Sequence, residues 1–288
     1  MTGFSADWLA LREPFDLAAR VESAAAMDLR GMATRIRRDG RTFGVLDLAC
    51  GTGANLRALA PCLGGAQQWL LIDHDPRLLA ALPGVFEAWS KARGFGLRAG
   101  QEGLHLEGPD WSADVRWHCA DLAKALDAVP FSDAQLVTAA ALLDLVSAPW
   151  LEALFERVRK VGAAMFFALS VDGRVRWNPV VENDETVQRL FEAHQRRDKG
   201  FGPALGVEAA AVAAARLDAM AYRVTRSRSD WRIEEMPMLQ TMIDGVATAA
   251  LEQAPGEEAR VRLWRSQRMA LAPRSRLQVG HVDLLAIR

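Results

Sequence analysis

The most informative part of this 288-residue chain is Val45-Leu-Asp-Leu-Ala-Cys-Gly-Thr-Gly-Ala-Asn-Leu56. It joins a short apolar run at 43–49 to a helical pattern at 55–60 through two closely spaced glycines. A buried strand, a tight turn and a helix account for this pattern. Because open α/β sheets bind ligands beyond the carboxyl ends of their strands, the glycine turn is also where a ligand can approach the backbone.

Further along the chain, short apolar runs alternate with helical patterns, which is typical of a parallel sheet covered by helices on both faces. The second run ends in Asp73-His-Asp-Pro76, where an aspartate can cap a helix and the proline can open it. The further strands are predicted at 69–72, 115–119, 134–138, 164–170, 222–228 and 279–287. We therefore predict an α/β fold with a seven-stranded, mostly parallel, doubly wound sheet.

The remaining segments are expected to add helices to this single domain. Residues 1–38 form a helical lead-in, within which Pro14 is expected to start a second helix. The segments that follow are a ligand-binding core at 39–171, a lid insertion at 172–206, and the rest of the sheet at 207–288 with a helical insertion at 235–277. Insertions as long as 235–277 are usually functional or face a partner, and we expect the helical segments to cover a substrate.

The composition excludes several classes of protein. The chain is 50% hydrophobic and 25% charged, with 35 Lys+Arg against 36 Asp+Glu, so neither disorder nor a polybasic nucleic-acid-binding surface is expected. Three cysteines are an odd number for a disulfide framework and lack metal-ligand spacing, so no structural metal is expected. No secretion signal or apolar span is found in the sequence, and a cytoplasmic protein without membrane insertion is expected.

The glycine turn does not match the dinucleotide fingerprint G-x-G-x-x-G, because Leu56 stands where the third glycine belongs. Instead, Asp47-Leu-Ala-Cys-Gly-Thr-Gly53 resembles the first motif of the class I, S-adenosylmethionine-dependent methyltransferases, an acid-x-x-x-Gly-x-Gly at the end of strand one. The family has a Rossmann-like fold, and the resemblance covers residues 40–170 well.

The resemblance implies that S-adenosyl-L-methionine is the cofactor and assigns roles to its other markers. Asp73 after strand two would take the ribose hydroxyls, Asp121 after strand three would face the adenine amino group, and residues 138–144 would line the methionine part. The cofactor-binding residues implied are Asp47, Ala49, Gly51, Thr52, Gly53, Asn55, Asp73, His74, Asp121, Leu122 and Ala139. A site at the strand ends that is lined by three carboxylates would attract the cationic sulfonium of this cofactor and repel an anionic pyrophosphate.

Three further residues are candidates for the site, Asp144 and His194 as catalytic residues and Arg12 as a cofactor-binding residue. Asp144 follows strand four, where the family often places substrate-facing side chains, and would act as a base or an amine anchor; a capping carboxylate is the alternative. Arg12 would reach the methionine carboxylate, unless it is a surface arginine. His194 precedes a glycine-punctuated turn suited to a lid, and is otherwise part of a solvated helix end.

Two sets of residues in the inserted segments have a structural interpretation. Trp177, Trp231 and Trp264 could line a substrate pocket, although packing between cover and core is the commoner use of such residues. The arginines are interpreted first as a helix surface rather than as a binding site for an acidic substrate or RNA; they are Arg260, Arg262, Arg265, Arg268, Arg274 and Arg276.

The expected function is therefore transfer of a methyl group to a small-molecule acceptor, with S-adenosyl-L-homocysteine as the product. An RNA or protein methyltransferase is the alternative within the class. An NAD-dependent oxidoreductase and a non-catalytic module that binds S-adenosylmethionine are the alternatives from other classes. The sequence predicts neither the acceptor atom nor the oligomeric state.

Overall fold

The computed structural model describes residues 4–38, 42–100 and 102–288. Its helices are α1 (Ala6–Met27), α2 (Leu29–Ile36), α3 (Ala54–Leu63), α4 (Pro76–Arg93), α5 (Ala148–Val161), α6 (Asp184–Gln195), α7 (Ala209–Ala219), α8 (Met236–Gln253) and α9 (Glu258–Leu271). Its strands are β1 (Phe43–Leu48), β2 (Gly65–Asp73), β3 (Gly96–Ala99), β4 (Leu104–Glu107), β5 (Trp111–Cys119), β6 (Leu136–Ala140), β7 (Ala164–Asn178), β8 (Arg223–Arg228), β9 (Trp231–Ile233) and β10 (Arg276–Ile287). No helix among the described residues has the length and apolarity that a membrane crossing requires.

All these strands belong to one sheet in the order β3-β4-β5-β2-β1-β6-β7-β10-β8, with β9 also paired to β10. The five central strands, β5, β2, β1, β6 and β7, are parallel, and β10 is antiparallel to both of its long neighbours. The order reverses between β1 and β6, which places a crevice beyond the carboxyl ends of these strands. The predicted α/β, mostly parallel, doubly wound fold is confirmed.

The strand count differs from the prediction, because the described part of the sheet has ten strands rather than seven. β3 and β4 form a hairpin on one edge, and β9 is a three-residue strand beside β10. Strand β7 also continues to Asn178, so the first residues of the segment 172–206 are strand. β3 and β4 are four residues each and pair with each other and with the adjacent β5, whereas β9 and the end of β7 are held by antiparallel pairing with the distant β10. None of these additions is marked by a local apolar run of the usual strand length.

The expected helix break at Pro14 is wrong. Helix α1 runs from Ala6 to Met27 through Pro14, and the chain turns instead at Asp28, which adopts φ 40° and ψ 54°. Asp28 then caps α2 by accepting a hydrogen bond from the Gly31 amide at 3.0 Å. A proline inside a helix removes the backbone hydrogen bond to the residue four positions earlier. Helix α1 nevertheless continues, because it packs against the hydrophobic core and this packing outweighs local propensity.

Alternating side chains of each strand pack into two apolar layers, one on each face of the sheet. In β1, Val45 belongs to the layer formed with helices α1 to α4 and α8, whereas Leu46 belongs to the layer formed with α5 and α7. Phe166 and Phe167 divide in the same way in β7. Because successive strand residues point to opposite faces, this division accounts for the near-continuous apolar runs in the sequence.

A buried ion pair anchors the helices of the second half to each other. Arg268 of α9 is fully buried, forms an ion pair with Asp184 at the start of α6, and stacks 4.5 Å from the ring of Trp177. Asp184 also accepts a hydrogen bond from the indole nitrogen of Trp264 at 2.8 Å. Arg268 is therefore an internal anchor rather than part of a helix surface, and Trp177 and Trp264 pack helix against strand.

We expect Arg268→Ala to destabilise the protein by about 3 kcal/mol or more, because it leaves the Asp184 carboxylate without its buried cation. Arg262→Ala is the matched control on the same helix, since Arg262 pairs with Glu258 at the surface and should contribute about 0.5 kcal/mol or less. Urea unfolding of both variants measures the difference. Equal losses for the two would show that the buried pair contributes nothing specific.

Candidate functional site

The glycine turn after β1 requires glycine for two separate reasons. Gly51 and Gly53 have φ values of 56° and 77°, in the left-handed region that side chains disfavour. A Cβ on Gly53 would also lie 2.7 Å from Cζ of Phe86, a contact that α4 would have to move to relieve. Helix α3 therefore starts directly at the carboxyl edge of the sheet.

Asp73 links this turn to the end of β2. Its carboxylate is buried and accepts hydrogen bonds from the amides of Gly51 at 2.8 Å and Asp75 at 2.9 Å. Because a carboxylate has about four acceptor positions, Asp73 keeps capacity for further donors. His74 beside it is largely exposed, with Nδ1 3.4 Å from an Asp73 oxygen. Asp75 caps α4 by accepting from the Arg77 amide at 2.9 Å, and Pro76 opens the helix as predicted.

The most unusual group of the site is the carboxylate of Asp47 in β1. Asp47 is fully buried, and Oδ1 accepts a hydrogen bond from Asn55 Nδ2 at 2.7 Å, whereas Oδ2 has no protein partner. Burial raises the pKa of Asp47 to about 7, although the Asn55 hydrogen bond and the charge of Arg20 oppose the shift. A buried acceptor of this kind is unfavourable unless a ligand or water donates to it.

Asn55 connects the Asp47 carboxylate to strand β6 and to helix α1. Its Nδ2 also lies 3.0 Å from Oγ1 of Thr138 in β6, and its Oδ1 accepts a hydrogen bond from Nη1 of Arg20 in α1 at 2.8 Å. Arg20 is 9% exposed, and its Nε has no protein partner. A buried cation and a buried carboxylate thus lie on either side of one amide, each with one hydrogen-bonding atom left unpaired.

Arg20 was not among the residues that the sequence analysis singled out. Its only signal is helical spacing, since it follows Asp16 by four residues and stands beside Ala19 on the face of α1 that also buries Ser23 and Met27. A basic residue on the packed face of a helix has to find a partner, and that partner becomes visible only when the helix is placed on the sheet.

Arg12 contacts a different set of residues from Arg20. It pairs with Asp16 at 3.0 Å, and its guanidinium stacks 4.9 Å from the ring of Trp231 in β9. The Arg12 charge also acts on Asp144, a buried carboxyl whose Oδ1 has no protein partner; burial raises the pKa of Asp144 to about 6 and Arg12 opposes the shift. Burial, followed by the Arg12 charge, lowers the pKa of His281 in β10 to about 4.

Asp121 is the most exposed of the predicted carboxylates. It follows β5 and accepts hydrogen bonds from the amide of Ala123 at 3.0 Å and from Nζ of Lys124 at 2.8 Å. The Lys124 hydrogen bond lowers the pKa of Asp121. Leu122 is buried, and its carbonyl accepts from the indole nitrogen of Trp150 at 2.9 Å.

The remaining predicted cofactor residues lie at the glycine turn and in β6. Ala49, with φ 53°, follows β1, and Ala139 pairs in register with Leu48. The carbonyl of Thr52 accepts a hydrogen bond from Nη1 of Arg57 at 2.6 Å.

The structure gives His194 a partner in another helix. Its Nε2 lies 2.9 Å from Oε2 of Glu252, which joins the end of α6 to the end of α8. Within 4–38, 42–100 and 102–288 no cluster of three or more His, Cys, Asp or Glu side chains could hold a metal ion.

The raised pKa of Asp47 gives a prediction for stability. Between pH 3.8 and about 7 the folded protein retains a proton that the unfolded chain releases, so this contribution to stability is present at low pH and is lost as the pH rises through 7. Asp47→Asn should therefore stabilise the ligand-free protein at pH 8 by roughly 2–4 kcal/mol and have little effect at pH 4.

Urea unfolding of Asp47→Asn and the wild type at both pH values measures this difference. Asp133→Asn changes an exposed carboxylate and serves as the control. If the stabilisation of Asp47→Asn were the same at pH 4 and pH 8, the carboxyl would not be titrating in this range.

Comparisons with known proteins find likeness in structure and not in sequence. No protein-family model and no curated protein matches the chain. A cyclopropane-fatty-acyl-phospholipid synthase-like protein from Lactobacillus casei ATCC 334 is similar with a TM-score of 0.52 and 14% identity, over 98% of this chain and 94% of its own.

Two further solved structures are SAM-dependent methyltransferases in complex with S-adenosyl-L-homocysteine. The one from Thiobacillus denitrificans is 17% identical over 96% of this chain and 98% of its own, with a TM-score of 0.40. The one from Geobacter sulfurreducens is 18% identical over 91% of this chain and 90% of its own, with a TM-score of 0.40. The strand order described above and the likeness to the Lactobacillus casei protein show the fold alone, an α/β fold with a mostly parallel, doubly wound sheet.

Proposed function

We propose that this protein is an S-adenosyl-L-methionine-dependent methyltransferase that acts on a small molecule and releases S-adenosyl-L-homocysteine. The observation that carries the proposal is the pair of unpartnered buried atoms at the glycine turn, Oδ2 of Asp47 and Nε of Arg20. One is an acceptor on an anion and the other a donor on a cation. Together they are complementary to a zwitterionic α-amino acid group, which the methionine part of the cofactor has.

The residues around this pair fit the rest of the cofactor. Asp47 would hold the ammonium group, Arg20 the carboxylate, and Asp73 the ribose hydroxyls, for which it retains acceptor capacity. Asp121 and Leu122 would bound the adenine. When bound, S-adenosylmethionine supplies a methyl group already activated by its sulfonium, so the protein has mainly to orient the acceptor and exclude water.

Asp144 is the residue that we assign to take the proton that the acceptor loses. Its carboxyl is buried near Arg12, has an unpartnered oxygen, and with a pKa of about 6 is mostly ionised at pH 7 to 8. An ionised carboxylate of this pKa can take a proton from an amine or hydroxyl acceptor. His194 is not part of this proposal, because its ring is engaged by Glu252.

The helical segments supply the enclosure that such a reaction needs. Leu9 of α1 lies over the glycine turn, with Cδ1 3.0 Å from where a Gly51 Cβ would stand, and α6 packs against α8. We assign residues 4–38, 172–206 and 235–277 to a cover over the acceptor, which suits a molecule small enough to be enclosed; residues 1–3 of the predicted lead-in lie outside the described residues.

Two alternative functions have less support. An NAD-dependent oxidoreductase would need a third glycine where Leu56 is fully buried against the core. An RNA substrate would need free cationic side chains, whereas Arg260, Arg262 and Arg265 are paired with neighbouring carboxylates.

Calorimetric titration tests the proposed cofactor. We expect S-adenosylhomocysteine and 5′-methylthioadenosine, which lacks the amino acid part, to bind, and NAD not to bind. Asp73→Ala should weaken the binding of both adenosyl ligands by about 2 kcal/mol, roughly 30-fold, because both have ribose hydroxyls. Arg20→Met should weaken the binding of S-adenosylhomocysteine alone, by tenfold or more, since only that ligand has a carboxylate.

Arg12→Met is the matched control on the same helix and should leave both affinities within twofold, and thermal melts check that each variant is folded. If Arg12→Met rather than Arg20→Met caused the selective loss, the methionine carboxylate would bind at Arg12. Binding of NAD without any response to the adenosyl ligands would contradict the proposed function itself.

Turnover tests the role of Asp144. Release of S-adenosylhomocysteine from S-adenosylmethionine is measured with a panel of amines, phenols and carboxylic acids as acceptors. For an acceptor that is methylated, Asp144→Asn should lower kcat at least tenfold without changing the affinity for S-adenosylhomocysteine. The wild-type kcat should fall as the pH drops through 6, since the base is then protonated; a variant with full turnover would eliminate this role.

A further inference from the structure

A cavity of about 760 Å³ lies where the first turns of α1 and α4 face the sides of α6 and α8. Its wall is mostly apolar and includes Trp8, Leu78, Phe191, Met242 and Val246. Volumes of several hundred cubic ångströms with a predominantly apolar lining are typical of sites for small molecules. The cavity is bounded by all three of the segments that we assign to the cover and by the helix that follows Asp73.

The polar side chains of the wall already have partners within the protein. Ser5 accepts a hydrogen bond from the Trp8 amide at 3.1 Å, and Thr241 donates to a backbone carbonyl one turn earlier at 2.8 Å. Asp75 accepts from the guanidinium of Arg77 at 2.7 Å. A ligand would therefore gain little from charge here, and its favourable contacts would come from burying apolar surface.

Gly245 keeps part of this space open. It stands in the middle of α8, where glycine costs about 1 kcal/mol relative to alanine. A Cβ at this position would meet no atom within 4 Å, so packing of the protein against itself does not require glycine there. Since Gly245 lines the cavity, any larger side chain would occupy space that is now free.

The cavity adjoins the site already described. Leu9, which lies over Gly51, is the neighbour of Trp8 in the wall, and the amide of Asp75 donates to the carboxylate of Asp73. We propose that the cavity binds the apolar alkyl or aryl body of the acceptor, beside the cofactor. This inference rests on the proposed function and adds that the acceptor is a hydrophobic small molecule.

The test is binding of N-phenyl-1-naphthylamine, a neutral apolar probe whose fluorescence rises in an apolar site, together with calorimetry of S-adenosylhomocysteine. We expect the wild type to bind both. Gly245→Phe should weaken the binding of the probe tenfold or more and leave the affinity for S-adenosylhomocysteine within twofold of the wild type. Gly84→Phe is the matched control, because Gly84 is an exposed mid-helix glycine of α4 whose Cβ would also meet nothing within 4 Å.

Thermal melts check folding, and Met242→Trp is a second variant that fills the cavity from the same helix if Gly245→Phe does not fold. The inference is overturned if the wild type does not bind the probe, or if both filling variants bind it normally. It is also overturned if they lose S-adenosylhomocysteine together with the probe, because the cavity would then belong to the cofactor. Failure of the wild type to bind S-adenosylhomocysteine, with probe binding still lost in the variants, would instead contradict the proposed function.

Discussion

The carboxamide of Asn55 is the interaction on which the candidate site depends. Its nitrogen contacts Asp47 of β1 and Thr138 of β6, and its oxygen accepts from Arg20 of α1, so one side chain joins two neighbouring parallel strands to the helix above them. Because the amide is neutral and has both a donor and an acceptor, it can stand between a buried carboxylate and a buried guanidinium without favouring either charge. Each of the two charged groups keeps one unpaired atom.

Unpaired groups of this kind are costly in the absence of a ligand. A buried donor or acceptor without a partner costs about 1–3 kcal/mol, and more when it is charged. Helix α1 contributes to that cost, because it places Arg20, which is 9% exposed, against the Asn55 amide that binds Asp47. The same helix supplies Leu9 over the glycine turn and Trp8 to the apolar cavity. Helix α1 therefore contacts the Asn55 group through Arg20, the glycine turn through Leu9 and the cavity through Trp8.

Turns and helix caps could be predicted from the sequence, whereas pairing and packing between distant parts of the chain could not. The glycines at 51 and 53, Asp73 at the end of β2 and the helix opened by Pro76 follow from residues a few positions apart. Strand β9, the extension of β7 and the continuation of α1 through Pro14 depend on partners far away in the chain, and local propensity predicts the wrong result at Pro14. Strands β3 and β4 pair locally, but each is only four residues long, too short to show a clear period. The spacing of arginines along α9 predicts a surface position for Arg268, because spacing does not reveal which of them is buried.

The class of the fold and the position of the glycine turn follow from the sequence, because they depend on apolar periodicity and on the backbone freedom of glycine. The acids at the ends of three strands are likewise visible in the sequence. Which arginine of α1 contacts Asn55 depends on how the helix packs, since Arg12 and Arg20 are about 12 Å apart along the helix axis and identical in chemistry. The raised pKa values of Asp47 and Asp144 likewise depend on the tertiary structure, because burial is a property of the assembled layers and not of neighbouring residues.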